Sequence, residues 1–306
     1  MIACFLFVLR AAEVLILTLA AVWAVRAGLL HPASAIVLAV AVFLVLVSLP
    51  LATVYLVALV FGPRAPAGRR VLGVLGEWLA YLALFIFIQP LARLWMGAEP
   101  AGLLPAGPLP AGPLPAGQVP VVLVHGYLCN RGFWWCLRRA LREHGFAVAT
   151  IDLEPPFAGI DRLADALHRR IEALRAETGA ERVVLIGHSM GGLVARAYLR
   201  RHGSAHVDRL VTLGSPHHGS RIAWLVHGRN AREMRPNSAW LGALNAHEPA
   251  VPVLSIWSPH DEFVVPPDSA RLAGAREIVV PSLGHLAMAF APGIRARVLA
   301  ELAAPR

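Results

Sequence analysis

Residues 187–192 read Gly-His-Ser-Met-Gly-Gly and follow the apolar run Val183-Val184-Leu185-Ile186. A serine so framed sits where a buried strand turns sharply into a helix, a corner that only small neighbours tolerate. The helix opening at Met190 then aims backbone N–H groups at whatever Ser189 holds. A hydroxyl in that position becomes a nucleophile once a base takes its proton, and two later segments offer partners. Asp261 follows the apolar run at 252–257, and His285 follows Ile278-Val279-Val280. In the chain order Ser, Asp, His, the imidazole of His285 removes and returns the Ser189 proton while Asp261 orients it. Glu262 is expected to face solvent. Negative charge developing on a substrate oxygen needs two backbone donors, assigned to the N–H groups of Met190 and Tyr127. The spacing therefore points to acyl transfer through a covalent serine intermediate.

Thirteen histidines compete for the role of base. His144, His168 and His202 fall on amphipathic or polar helical stretches and read as surface residues. His188 lies inside the turn and reads as packing beneath the nucleophile. His125, His217, Trp224 and Trp240 are the candidates for lining a substrate pocket.

The elements that must position these groups alternate. Strands are expected at 120–125, 146–153, 182–187, 207–213, 252–257 and 276–280, and helices at 132–143, 160–178, 190–202 and 288–303. Continuous apolar strands separated by helices imply an α/β fold, a parallel sheet covered on both faces. Such sheets gather their chemistry at the carboxyl ends of the strands. Residues 215–250 break the rhythm and read as a lid, with Trp224, Leu225, Trp240, Leu241 and Leu244 on either its underside or the core.

Three segments carry a resemblance: Val124-His125-Gly126-Tyr127, the elbow Gly187 to Arg196, and Gly214-Ser215-Pro216-His217-His218-Gly219-Ser220. Together they resemble the bacterial lipases and esterases of the α/β-hydrolase superfamily, over roughly residues 118–305. Met234 to Leu241 is similar to a cap segment of the same enzymes. The resemblance implies ester hydrolysis by Ser189, Asp261 and His285, with Tyr127 and Met190 as oxyanion donors and no cofactor. An aspartate that binds calcium in some of those enzymes is absent from Leu286-Ala287-Met288, and no metal is expected.

The first hundred residues are of another kind. Hydrophobic residues make up 57% of the chain, and they concentrate in runs at 3–25, 35–61 and 71–95. Each run is long enough to span ~30 Å of hydrocarbon. Arg10 and Glu13 share a helical face and can neutralise each other; Glu77 must face other helices. Residues 1–97 thus read as a membrane region of three spans. Residues 98–117, with their Leu-Pro-Ala-Gly-Pro repeats, read as an extended linker, and residues 118–306 as the catalytic domain.

With Arg64, Arg69 and Arg70 between the second and third runs, three crossings would put the catalytic domain outside a bacterial inner membrane, in the periplasm. All 28 basic residues are arginine, and the net charge of +9 is scattered, with no basic–aromatic stripe for nucleic acid. Expected partners are the bilayer and a lipid or small acyl-ester substrate. Cys129 and Cys136 are expected to be free thiols. The same triad also serves acyltransferases and thioesterases, and an inactive membrane scaffold is a further alternative.

Overall fold

The computed structural model describes residues 1–61, 67–97, 114 and 118–304. All but Leu114 of the expected linker, and the loop arginine Arg64, lie outside the described residues. The N-terminal region holds helices α1 Ile2–Arg26, α2 Pro32–Phe61 and α3 Ala67–Leu82, the last continued by a π-helical turn Ala83–Ile88, and then α4 Ala92–Met96. The remaining helices are α5 Trp135–Glu143, α6 Ile160–Thr178, α7 Met190–His202, α8 Arg229–Glu233, α9 Ala239–Asn245 and α10 Pro292–Ala303. Between them run strands β1 Val121–Val124, β2 Val148–Ile151, β3 Val183–His188, β4 Val207–Leu213, β5 Val253–Trp257 and β6 Arg276–Val279.

The strands form one parallel sheet in the order β2-β1-β3-β4-β5-β6. Its two faces divide the strand residues by the period of two. Val122, Val124 and Leu185 pack with the leucines of α6 and with α7. Val121, Leu123, Val184 and Ile186 pack toward α5 and α10 on the other face. Burial on both faces is why these strands are apolar without interruption. The chain leaves β1 for β2 on one side and returns to β3 on the other, so the crevice between β1 and β3 is a switch point of the kind that binds ligands. Register aligns the strand ends there: Val124 pairs with Gly187, His188 with Leu213, and Leu213 with Ile256.

Helix ends follow local chemistry. α6 stops at Gly179, whose φ of 70° is the left-handed cap that glycine supplies without strain. α10 begins at Pro292 rather than near residue 288, because Leu286–Ala289 form a separate 3-10 turn.

α1 and α2 are each long and apolar enough to cross a membrane, and their outward residues, among them Phe5, Leu15, Ile16, Trp23, Val37 and Leu49, are exposed. Arg10 and Glu13 do pair, at 2.8 Å. The third apolar run differs from the expected span. Its apolar helix, Gly73–Ile88, is shorter, and Ala80, Tyr81, Leu84 and Ile88 are buried in the same cluster as Leu123, Phe133, Leu286 and Met288 of the catalytic sheet. Each large apolar side chain so buried is worth about 1.5–3 kcal/mol. α3 and its π-turn therefore belong in space to the catalytic core.

Candidate active site

Ser189 caps α7 with φ 54° and ψ −127°, a strained conformation for a side-chain-bearing residue. Its glycine neighbours are required by contact as well as by backbone freedom. A Cβ on Gly191 would collide with the Val124 carbonyl, and one on Gly187 would stand 2.5 Å from the Gly192 nitrogen. A Cβ on Gly126 would lie 2.8 Å from that of Ser189, so the turn after β1 presses directly on the nucleophile. Tyr127 is next in the chain after Gly126, and Met190 follows Ser189 at the opening of α7. The Tyr127 hydroxyl is held away, donating to the His227 carbonyl at 2.6 Å.

His285 Nδ1 lies 2.7 Å from Asp261 Oδ2, with both residues 3% exposed. The other Asp261 oxygen accepts the N–H groups of Phe263 and Val264, each at 2.9 Å. With Nδ1 donating to the carboxylate, Nε2 is left as the ring's free acceptor. Burial opposes an imidazolium at His285, but the Asp261 carboxylate and the charge of Glu77 outweigh it and raise its pKa. Phe263 stacks on the ring at 5.0 Å between centroids. Gly214 follows β4 at φ 54°, and a Cβ there would come 2.9 Å from Asp261 Oδ2 and 3.2 Å from His285 Nδ1. Among the described residues no hydrogen bond joins the Ser189 hydroxyl to His285; in ligand-free hydrolases that contact commonly tightens only with substrate.

His188 is fully buried under the elbow, its ring stacked on Phe133 at 4.1 Å and its Nε2 3.2 Å from the His285 carbonyl. Burial drives its pKa well below the ordinary histidine value, which keeps it neutral beside the site. Cys129 and Cys136 are free, and burial pushes the Cys129 thiol up to about 12.

Several expected pocket residues are engaged elsewhere. His125 Nε2 accepts the Leu153 N–H at 2.9 Å while Nδ1 donates to the Gly126 carbonyl at 2.9 Å, so this buried ring ties β1 to the segment after β2. His217 is fully buried between Thr212 and Arg196. Trp240 donates to Asp161 and packs on the α6 side of the core. Trp224 alone of the four is largely exposed, at 61%, with the Arg235 guanidinium 4.2 Å above its ring.

The 215–250 segment is a pinned cap more than a loose flap. Leu241 and Leu244 are core residues, Glu233 accepts the Ile160 N–H at 2.6 Å, and Asn230 donates to the Pro156 carbonyl at 2.8 Å.

Three polar residues near the site escaped the sequence reading. Glu77 of α3 is fully buried and accepts the N–H groups of Leu286 at 2.6 Å and Ala287 at 2.8 Å, immediately after His285. It faces the histidine loop and not other helices. Gln89 accepts the Asn130 N–H at 2.8 Å and, through its carbonyl, the Asn130 side chain at 2.9 Å. Glu262, expected in solvent, is 3% exposed and lies against Glu77. The available signal was a lone carboxylate and a lone amide inside an apolar run, each of which needs a buried partner.

Comparison with known proteins agrees with this fold. Residues 119–228 match the alpha/beta hydrolase fold family. Among curated relatives, a triacylglycerol lipase of Pseudarthrobacter phenanthrenivorans is 34% identical over 114 residues, 35% of each chain. One of Burkholderia plantarii is 33% identical, over 35% of this chain and 32% of its own. The chain thus spans about a third of the length of these relatives. The mature form of Bacillus licheniformis lipase BlEst2 superposes with TM-score 0.55 at 19% identity, covering 64% of this chain and 95% of that one. Aspergillus fumigatus lipase B superposes with TM-score 0.56 at 19% identity, covering 63% and 56%.

Proposed function

We propose that this α/β-hydrolase-fold chain is a serine ester hydrolase of the lipase and esterase kind, anchored in a membrane by α1 and α2. The observation that carries the assignment is the strained Ser189 at the head of α7, set at the same sheet edge as the 2.7 Å His285–Asp261 bond. In the reaction, His285 Nε2 takes the Ser189 proton as the hydroxyl oxygen attacks the ester carbonyl. Asp261 fixes the tautomer and stabilises the imidazolium. The N–H groups of Met190 and Tyr127 receive the oxyanion, each donor worth about 10²–10³ in rate. His285 then protonates the leaving alcohol, and water repeats the sequence to release the acid. The lipase relatives support an acyl ester of a lipid as substrate class. A purified full-length chain should hydrolyse nitrophenyl acyl esters, and Ser189→Ala should lose that activity; a variant as fast as the parent would refute the assignment.

Two crossings suit the helices better than three. The start of α1 meets the catalytic domain, where the Met1 ammonium pairs with Glu154. The end of α2 packs there as well, with Val54 against Ile222 and Val265. Both ends of the hairpin then lie on the catalytic side, and its tip near Arg26 and His31 lies on the other. Arg64, Arg69 and Arg70 fall on the catalytic side in sequence, and with two crossings this excess of positive charge favours the cytoplasm for that side. Three crossings would give the opposite outcome.

A further inference from the structure

The apolar N-terminal region contributes more than anchorage. Glu77 comes from α3, over two hundred positions before the histidine it underlies. Its two oxygens take the N–H groups of Leu286 and Ala287, the first two after His285. These open the 3-10 turn Leu286–Ala289, whose leading N–H groups have no intrahelical acceptor. The loop is also moulded to the carboxylate: a Cβ on Gly284 would collide with Glu77. The residues on both sides of His285 are thus fixed by one side chain from α3.

Glu262 completes the arrangement. Its oxygens meet no N–H donor, and its side chain instead bonds to that of Glu77, an arrangement that suits a buried neutral acid. Burial and the neighbouring Glu77 charge hold its pKa well above the usual carboxylate range. Burial raises the Glu77 pKa as well, against the lowering effect of the Glu262 side chain and the Leu286 and Ala287 N–H groups. Twelve residues further on, Gln89 of the same segment grips Asn130, in the loop after β1.

We propose that Glu77 is a positioning residue for the reaction: the α3 carboxylate holds the His285 loop in register with Ser189, so that catalytic competence depends on α3 being docked. This rests on the assignment of Ser189, His285 and Asp261 made above. The ionisable groups around the histidine are Asp261 after β5, Glu77 of α3 with Glu262 against it, His188 at the end of β3 and the nearby Tyr55 of α2. Removing the Glu77 charge withdraws support from the imidazolium.

The test uses the full-length chain in detergent with a nitrophenyl ester, comparing Glu77→Gln, Glu77→Asp, Trp78→Phe and Ser189→Ala. An amide at position 77 turns one acceptor into a donor aimed at a backbone N–H. Displacing a catalytic group by an ångström costs on the order of 10²-fold. Glu77→Gln should therefore lose about that in kcat, with KM changed less than about twofold, and the acid limb of its kcat profile should move to lower pH. Glu77→Asp, which keeps the charge, should recover part of the rate. Trp78→Phe breaks the neighbouring 2.7 Å bond to Ser48 without touching the loop and should match the parent.

Parent kcat and an unshifted acid limb in folded Glu77→Gln would overturn the proposal. So would failure of both Glu77 variants to fold, since a residue that only orients a loop is not required to form a sheet it never touches. If Ser189→Ala retains activity, the triad assignment has failed instead; if it is inactive while Glu77→Gln is unimpaired, only the positioning role has failed.

Discussion

Asp261→Asn is the substitution whose outcome the geometry constrains most tightly. One oxygen of Asp261 accepts two backbone N–H groups, from Phe263 and Val264, and the other meets His285 Nδ1 at 2.7 Å. An asparagine has one oxygen and one NH₂ to fill these places. Turning NH₂ toward Phe263 and Val264 would oppose three donors in a buried site, so the oxygen stays there and the NH₂ faces His285. The imidazole must then present Nδ1 as acceptor and carry its proton on Nε2, where it can no longer take one from Ser189. The wrong tautomer costs about 10⁴ in kcat in serine enzymes of this design, or about 5.5 kcal/mol of transition-state stabilisation. Substrate contacts are untouched, so KM should stay within about threefold. Steady-state ester hydrolysis, with a thermal melt confirming a folded chain, measures both quantities. A folded Asp261→Asn chain within tenfold of the parent would show that this carboxylate does not set the tautomer.

The pH profile carries a related signature. Because Asp261 and Glu77 hold the His285 pKa up, and only neutral imidazole accepts the serine proton, kcat/KM should fall on the acid side around an apparent pKa above the ordinary ~6.5; a limb below that value would contradict the charge arrangement. Gly214→Ala places a methyl 2.9 Å from Asp261 Oδ2 at a backbone φ of 54°, and should lower kcat by roughly tenfold or more through a displaced dyad, read by ester hydrolysis. His125→Ala removes an acceptor from the buried Leu153 N–H and should cost about 1–3 kcal/mol in denaturant unfolding with little change in KM. For topology, a reporter inserted at residue 29 and one fused after residue 304 should report opposite sides of the membrane, with the second in the cytoplasm.

Much of the catalytic half was legible because its signals are local. The four-residue apolar runs that became β1 and β3 are buried on both faces, and their register alone brings Gly126 beside Ser189. Asp261 was preferred to Glu262 on the expectation that Glu262 faces solvent, whereas Glu262 is buried. That error and the misreading of α3 share one cause. Glu77 and Glu262 neutralise each other's awkwardness across more than 180 positions, and no periodicity encodes such a pairing. Trp240 and His217 have polar partners that the sequence reading did not foresee. An indole N–H or an imidazole fits a buried polar partner as readily as a ligand, and here Asp161, Thr212 and Arg196 supplied those partners. The cap was visible as a break in rhythm, but its rigidity depends on Glu233 and Asn230 reaching back to the α6 side, which spacing does not reveal.

The nucleophile itself can be identified chemically. A fluorophosphonate reacts with a serine only where a base, an oxyanion hole and an exposed hydroxyl coincide. Digestion of the labelled full-length chain followed by mass spectrometry should find the adduct on the peptide containing Gly187-His188-Ser189-Met190, with labelling abolished in His285→Ala. No adduct, or an adduct on another serine that persists without His285, would contradict a Ser189-centred hydrolase.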